Sequence, residues 1–249
     1  MNVIVNDLLV NYEITGKGKL LLLLHGWGDS IKGLQSLQSR LAESYKIVAI
    51  DMPGFGGSQP PPEAWNLDNY ARMTKDILDK LGLDQPYALI GHSNGGAIII
   101  RAVSQELLMP EKIVLLAASG IRENSSRKQI YKSLAKIGKS TTLFLPQQSR
   151  KKLRAKLYKV AGSDYLVAPQ LEETFKLTVA QDLKADAARV TTDTLLIYSP
   201  SDKAVPLSIG EKYNQLMSNS RLELVENASH FIHLDNEAKV VKLIRDFLK

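Results

Sequence analysis

The amino-acid sequence predicts an α/β fold built on a doubly wound, mostly parallel sheet. Short apolar runs bounded by Gly, Pro, Asp and Ser alternate with longer stretches whose apolar residues recur at helical spacing. Several of the short runs are apolar throughout, which is typical of parallel strands that are covered on both faces. The alternation of strand and helix predicts right-handed crossovers, with helices on both sides of one sheet.

The first residues predict an antiparallel hairpin at an edge of this sheet. Val3–Val5 and Leu8–Ile14 flank Asn6 and Asp7, a pair suited to a two-residue turn. The later strands are expected at Leu20–Leu24, Lys46–Ile50, Tyr87–Ile90, Ile113–Ala117 and Thr194–Tyr198, with a shorter last strand at Leu222–Val225. The helices are expected at residues 31–44, 68–82, 94–107, 207–218 and 236–248.

One long stretch interrupts the alternation. From residue 121 to residue 189 the pattern is helical and contains no clear strand, and a connection of this length is too long for a structureless loop. We therefore predict a core of residues 1–120 and 190–249 with a helical cap insert of residues 121–189. The insert is expected over the carboxyl ends of the strands, where open α/β sheets place their ligand sites.

The positive charge of the chain is concentrated in this insert. The formal net charge is +6, but residues 120–189 hold 15 Lys and Arg against 6 Asp and Glu, while the rest of the chain holds 17 basic and 20 acidic residues. No aromatic platform or nucleic-acid motif accompanies the basic residues, so we expect a solvated helical surface and no nucleic-acid partner. The alternative is that the basic cap attracts anionic substrates.

The composition excludes several classes of protein. A chain of 249 residues with 44% apolar and 23% charged residues can bury one full core. The amino terminus lacks a basic stretch leading into a long apolar run, and no segment has the roughly 18 apolar residues of a membrane span, so we expect a cytoplasmic protein with no membrane partner. The absence of cysteine excludes disulfides, thiolate metal sites and a thiol nucleophile.

The sequence Gly91-His92-Ser93-Asn94-Gly95-Gly96 is the strongest indication of chemistry. It follows an apolar strand directly and precedes a helix, and it fits Gly-x-Ser-x-Gly. A strand that turns abruptly into a helix holds the serine at the apex in a strained conformation, and side chains two positions away on either side would collide with neighbouring backbone. We predict that Ser93 is the nucleophile of an acyl-transfer reaction.

A serine nucleophile needs a histidine base. His92 is next to Ser93, but adjacent residues on a sharp turn point apart, so its side chain is expected to pack against the sheet. His230 and His233 follow the last predicted strand, where a loop can return over the sheet. Position along the chain leaves both His230 and His233 open as the base.

The base in turn needs a carboxylate that fixes its tautomer and stabilises its protonated form. Asp202 follows a predicted strand and therefore belongs to the catalytic end of the sheet. Asp193 precedes the same strand and belongs to the opposite end. We predict that Asp202 is the acid of the catalytic triad.

The chain resembles the α/β-hydrolase family over nearly its whole length. The chain order Ser93, Asp202, His230 is the order of that family, and residues 51–58, DMPGFGGS, are similar to its D-x-P-G-x-G-x-S loop, which is expected to be architectural. His230 matches the histidine of the family's (G/S)-H-F sequence, so the resemblance makes His230 the predicted base and His233 the alternative. Some relatives place the acid after the preceding strand, which makes Glu123 the alternative acid.

The resemblance also implies an oxyanion hole. Residues 25–28, HGWG, are similar to the family's H-G-x-G loop, so the backbone N–H of Trp27 is the expected first donor, and the N–H of Asn94 at the start of the following helix is the second. His25 is expected to shape the loop. The chain departs from the family at Asn94, where hydrophobic residues are usual, and at Ser199, where glycine is common.

These features together predict a serine hydrolase that cleaves a small carboxylic ester through an acyl-enzyme, with no metal or organic cofactor. The expected partner is a small-molecule acyl substrate. Hydrolysis of a carbon–carbon bond in a diketone-like substrate is the first alternative, because such hydrolases share the triad and the cap. A receptor that keeps the triad and only binds a ligand is the second.

Overall fold

The described strands form one mixed sheet. The computed structural model describes residues 1–122 and 168–249. Its strands are β1 (Asn2–Val5), β2 (Leu8–Thr15), β3 (Leu20–Leu24), β4 (Lys46–Ile50), β5 (Ala88–His92), β6 (Lys112–Leu116), β7 (Asp193–Tyr198) and β8 (Ser220–Leu224). Their order across the sheet is β1-β2-β4-β3-β5-β6-β7-β8. The β1–β2 and β2–β4 pairs are antiparallel and the remaining pairs are parallel, which confirms the predicted sheet.

The amino-terminal hairpin forms where it was predicted. Asn6 and Asp7 have φ of 48° and 62°, a left-handed conformation that Asn and Asp tolerate better than other residues with a side chain. The turn pairs Val5 with Leu8. The second strand of the hairpin then pairs with β4, which joins the hairpin to the parallel part of the sheet.

Helices cover both faces of the sheet. They are α1 (Ile31–Leu41), α2 (Leu67–Lys80), α3 (Asn94–Ser104), α4 (Glu172–Ala180), α5 (Lys184–Ala187), α6 (Leu207–Leu216), α7 (Ile232–Asp235) and α8 (Glu237–Leu248). Leu22 and Leu24 of β3 belong to one apolar cluster with α2, α3 and α6, whereas Leu21 and Leu23 belong to a second cluster with α1 and α8. Because alternate residues of a strand point to opposite faces, this division explains why β3 is leucine throughout.

Several helices end earlier than the apolar periodicity indicates. The helices predicted to reach residues 44, 107 and 218 end at Leu41, Ser104 and Leu216. After α3 the chain passes through Glu106 with φ of 58°, a left-handed residue that a helix does not contain. The short helix α7 was not predicted, because four residues carry no helical repeat. In the described ranges, no helix has the length and apolarity to cross a membrane.

Apart from residues 121 and 122, only the carboxyl-terminal part of the predicted cap insert lies within the described residues. It comprises a 3₁₀ turn at Pro169–Leu171 followed by α4 and α5, and we call residues 168–189 the return segment. The return segment is bonded to the start of α2, where the N–H of Trp65 donates to Thr174 Oγ1 (3.1 Å) and the N–H of Leu67 donates to Gln181 Oε1 (2.7 Å). Residues 123–167 of the predicted insert, with Glu123 among them, lie outside the described residues, so the domain boundaries stay a prediction.

Candidate active site

Ser93 occupies the sharp turn between β5 and α3. Its backbone has φ of 50° and ψ of −112°, a conformation that is strained for a residue with a side chain. The N–H of Ser93 donates to the carbonyl of Leu116 in β6 (2.9 Å), and its own carbonyl accepts from Ala97 (3.2 Å) and from Ser119 (3.1 Å). These bonds to a neighbouring strand and to the helix hold the strained turn in place.

The glycines on either side of Ser93 have the steric role that the sequence predicts. A Cβ atom on Gly91 would lie 2.6 Å from the backbone nitrogen of Gly96. A Cβ atom on Gly95 would lie 2.7 Å from the carbonyl oxygen of His25. Both distances are shorter than real Cβ contacts, so a side chain at either position would push the turn away from its neighbours.

The loop that contains Trp27 packs directly against this turn. A Cβ atom on Gly26 would lie 2.9 Å from Nδ1 of His92 and 3.2 Å from Cβ of Ser93, so a side chain at this position would press on both residues. The Trp27 ring packs between Phe55 and Phe175, with centroid distances of 4.9 Å and 5.1 Å. Since Phe175 belongs to α4, the return segment contacts the loop that carries the first predicted oxyanion donor.

His25 shapes this loop, in agreement with the structural role expected for it. Its Nδ1–H donates to the carbonyl of Gly26 (2.7 Å), and its Nε2 accepts from the N–H of Met52 (3.0 Å). Burial lowers the pKa of His25, which favours the neutral ring that these two contacts require. The side chain therefore ties the loop after β3 to the loop after β4.

Asn94, the second predicted oxyanion donor, is the first residue of α3. The first N–H groups of a helix have no carbonyl partner within it, and they lie at the positive end of the helix dipole. The backbone of Asn94 is therefore suited to receive an anionic oxygen at the position next to Ser93.

Asp202 and His230 form a short hydrogen-bonded pair at the carboxyl end of the sheet. His230 Nδ1 lies 2.7 Å from Asp202 Oδ2, and the Asp202 side chain is fully buried while that of His230 is 13% exposed. The other carboxylate oxygen, Oδ1, accepts from the N–H groups of Ala204 (2.7 Å) and Val205 (3.0 Å). In the tautomer in which Nδ1 donates to this carboxylate, Nε2 is the ring atom that can accept a proton.

Ser199 connects the acid loop to the base loop. Its buried hydroxyl donates to the carbonyl of Ala228 (2.6 Å), and its carbonyl accepts from the N–H of Asp202 (3.2 Å). A glycine at this position would lack the first of these bonds. The departure from the family at Ser199 therefore adds a link between the two loops that carry the pair.

The loop that carries His230 is also held by hydrogen bonds between Ser229 and Asp235. The N–H and the hydroxyl of Ser229 both donate to Asp235 Oδ2, at 2.6 Å and 2.5 Å. These hydrogen bonds lower the pKa of Asp235, so the carboxylate stays ionised in its role as acceptor. These two hydrogen bonds join the ends of the segment Ser229–Asp235, which contains His230.

The alternative base, His233, and the aspartate at the other end of β7, Asp193, differ from the predicted pair in their surroundings. His233 is buried against α1, where its Nε2–H donates to the carbonyl of Gly33 (3.2 Å), and burial lowers its pKa. Asp193 begins β7 and is exposed at the amino end of that strand, opposite to Asp202. These observations favour His230 and Asp202.

The Asp51 loop is architectural, as expected. Asp51 Oδ1 accepts from the N–H of Ile31 (2.7 Å), and Oδ2 accepts from Asn11 (2.8 Å) and from the N–H of Gly57 (2.7 Å). The carboxylate thereby joins β2, the start of α1 and its own loop. Both carboxylate oxygens therefore take part in holding the fold together.

His92 is the residue near the site that sequence reasoning underestimated. It was expected to pack against the sheet, but its ring lies 4.8 Å from the ring of His230 and 5.4 Å from that of Phe231. The contact brings the residue before Ser93 against the loop that carries the predicted base. The sequence shows that His92 is next to Ser93, but it does not show that His92 contacts His230 and Phe231, which lie more than a hundred residues further along the chain.

Comparison with known proteins agrees with the fold. Residues 19–136 match the alpha/beta hydrolase fold family. A pimeloyl-[acyl-carrier protein] methyl ester esterase from Photobacterium profundum is 26% identical, over 96% of this chain and 98% of its own. A 2-hydroxy-6-oxo-2,4-heptadienoate hydrolase from Pseudomonas putida is 22% identical, over 99% and 95%. The structure of an esterase from Exiguobacterium antarcticum is 19% identical and superposes with a TM-score of 0.81, covering 99% of this chain and 98% of that one.

The chain has the α/β-hydrolase fold. The family match and the relatives together support a hydrolase.

Proposed function

We propose that this protein is a serine hydrolase that cleaves a small carboxylic ester through an acyl-enzyme on Ser93. The observation that carries the proposal is the Asp202–His230 pair, which joins a buried carboxylate to an imidazole over 2.7 Å. A carboxylate on Nδ1 leaves Nε2 as the basic atom, which is the form a serine nucleophile requires. The strained conformation of Ser93 at the end of β5 supports its assignment as that nucleophile.

In the acylation step, Ser93 Oγ attacks the carbonyl carbon of the ester while His230 Nε2 takes the hydroxyl proton. The carbonyl π electrons move to oxygen, and the resulting oxyanion accepts hydrogen bonds from the N–H groups of Trp27 and Asn94. When the tetrahedral intermediate collapses, the bond to the leaving alcohol breaks and His230 returns the proton to that alcohol. Asp202 stabilises the imidazolium that exists between these two events.

In the deacylation step, water takes the place of the alcohol. His230 Nε2 removes a proton from the water as its oxygen attacks the acyl carbon, and the same proton then passes to Ser93 Oγ when the acyl–enzyme bond breaks. The carboxylic acid leaves and the enzyme returns to its starting state. Every proton in the cycle is carried by His230, Ser93, water or the leaving alcohol, so the proposed cycle uses no cofactor.

The proposal is tested by the turnover of short-chain p-nitrophenyl esters. Ser93→Ala is expected to lower kcat by about 10³-fold or more, because the variant cannot form an acyl-enzyme. Ser39→Ala is the matched control, since Ser39 is an exposed serine of α1 whose hydroxyl donates to the carbonyl of Gln35 in the same helix. Ser39→Ala should keep wild-type kcat. Retention of turnover in Ser93→Ala would refute the assignment of the nucleophile.

Carbon–carbon bond hydrolysis is the second candidate function, and the similarity to the Pseudomonas putida hydrolase favours it. A 2-hydroxy-6-oxodienoate is the discriminating substrate, because its cleavage breaks a bond between carbon atoms and not a bond to an alcohol oxygen. We expect kcat/KM of the wild-type protein to be higher for the ester. A higher kcat/KM for the dienoate would favour the second candidate. The role of Ser93 would then be tested by Ser93→Ala with the dienoate as substrate.

A further inference from the structure

The side chain of His92 connects the turn that carries Ser93 to the loop that carries His230. His92 is the last residue of β5 and is buried. Its Nε2–H donates to the backbone carbonyl of His230, with 3.0 Å between nitrogen and oxygen. The two rings lie 4.8 Å apart, so the contact includes packing as well as the hydrogen bond.

The hydrogen bond requires His92 to hold its proton on Nε2, because a carbonyl oxygen only accepts. Burial, and then the nearby rings of His233 and His230, lower the pKa of His92 well below its ordinary value, so the ring is neutral and has a single proton. Within the described residues Nδ1 has no hydrogen-bond partner, and it faces Gly26. The single proton therefore serves the contact with His230.

The contact gives His230 a second point of attachment. Asp202 fixes the ring of His230 at Nδ1. A ring held at one atom can still pivot about that bond if its backbone shifts. His92 fixes the backbone carbonyl of the same residue, and two attachments on opposite sides of Cα define where Nε2 points.

We propose that His92 is a positioning residue that holds the imidazole of His230 toward Ser93 by anchoring the backbone of His230. The proposal rests on the proposed function, since it assumes that His230 is the base for Ser93. Because His92 immediately precedes Ser93, the anchor and the nucleophile belong to one rigid segment of backbone. Loss of the anchor then alters the separation of base and nucleophile more than it alters the binding of substrate.

The test compares two substitutions of similar length at this position. In glutamine the side-chain nitrogen is as many bonds from Cβ as Nε2 of histidine, so His92→Gln keeps a donor for the carbonyl of His230. His92→Met places a methyl group there and removes the donor. We expect His92→Met to lower kcat for a p-nitrophenyl ester by between about 10-fold and 100-fold, with KM changed by less than about twofold. His92→Gln should recover kcat to within about threefold of wild type.

The contrast between these variants separates positioning from a loss of fold, because both are measured for melting temperature alongside kcat and KM. If His92→Met does not fold, His92→Asn replaces it, since the shorter asparagine amide falls one bond short of the carbonyl. Equal kcat in the donor-keeping and donor-lacking variants would overturn the proposal. So would a loss of activity that appears mainly in KM.

Ser93→Ala, measured in the same series, distinguishes the failure of this inference from the failure of the proposed function. If Ser93→Ala retains turnover, the proposed function fails, and the His92 proposal fails with it. If Ser93→Ala abolishes turnover while His92→Met keeps it, only the role of His92 is refuted.

Discussion

Gly95→Ala tests how closely the turn at Ser93 must pack against the oxyanion loop. Gly95 lies two residues after Ser93, and an added Cβ atom would lie 2.7 Å from the carbonyl oxygen of His25 and even closer to that of Leu24. Both oxygens belong to backbone, which cannot rotate away as a flexible side chain can. An alanine at this position must therefore push the turn and the loop apart.

The size of the displacement follows from these contacts. Ordinary contacts of a Cβ atom begin at 3.4 Å, so the carbonyl of His25 alone must retreat by about 0.7 Å, and the carbonyl of Leu24 by more. Overpacking of this kind costs about 1–3 kcal/mol of stability. The displacement also separates the N–H of Trp27 from Ser93, and since a misplacement of about 1 Å can lower a rate by about 100-fold, we expect kcat to fall by about 10-fold to 100-fold.

The assay is kcat for a p-nitrophenyl ester together with the melting temperature. Gly82→Ala is the matched control, because Gly82 has φ of +61° and no atom within 4 Å of an added Cβ, so the same substitution there strains the backbone without a collision. We expect Gly82→Ala to lose about 1–2 kcal/mol, or about 2–8 °C in melting temperature, with kcat unchanged. A Gly95→Ala protein with wild-type kcat, or a Gly82→Ala protein that loses kcat equally, would refute the reasoning.

Three further predictions concern the base, its loop and the response to pH. Asp202→Asn should lower kcat by about 10³-fold or more. The two N–H groups that donate to Oδ1 will select the amide oxygen there, so the amide nitrogen faces His230 and donates to Nδ1, and the His230 proton then lies on Nε2, which cannot take one from Ser93. A kcat within about tenfold of wild type would contradict this prediction. Ser199→Ala should lower the free energy of unfolding by about 1 kcal/mol through the lost bond to Ala228, measured by urea unfolding, and no change would mean that the bond is not stabilising. The folded-state pKa of His92 is below the ordinary value of 6.5, so at lower pH the unfolded chain binds a proton that the folded chain excludes. The contribution of His92 to the free energy of unfolding is therefore at its maximum above about pH 6.5. It falls as the pH decreases, by up to about 1.4 kcal/mol per pH unit. Melting curves from about pH 5 to about pH 7 should show a weaker pH dependence for His92→Gln, and parallel curves for the two proteins would contradict the assignment.

The sheet could be predicted because its determinants are local. The five leucines of β3 and the apolar run before Ser93 show on their own that both faces of these strands are buried. The turn at Asn6 and Asp7 is likewise specified by the two residues that form it. These features needed no knowledge of which residues meet in three dimensions.

The Asp202–His230 contact could also be anticipated, for a different reason. Parallel strands bring their carboxyl ends to one edge of the sheet, so the loop after β7, which contains Asp202, and the loop after β8 had to lie near each other. Position relative to the strands was enough to separate Asp202 from Asp193. The choice between His230 and His233 depended on the resemblance to the family as well as on position.

The contacts that position His230 could not be predicted from the sequence, because they join residues that are distant in the chain. The hydrogen bond from His92 to the carbonyl of His230 spans 138 residues, and that from Ser199 to Ala228 spans 29. Both acceptors are backbone carbonyls, which have no residue type to recognise. The packing of Phe175 on Trp27 is equally long in range, and α4 has only a weak apolar repeat to indicate which face it buries.

Covalent labelling by a fluorophosphonate tests the central proposal most directly, because it detects the nucleophile without a choice of substrate. The wild-type protein, incubated with the probe, digested and analysed by mass spectrometry, should carry the adduct on Ser93. A His230→Gln protein of unchanged melting temperature should label at least about 100-fold more slowly, since the hydroxyl then has no base. An adduct on another residue, or equal labelling rates in the two proteins, would contradict the assignment of Ser93 and His230.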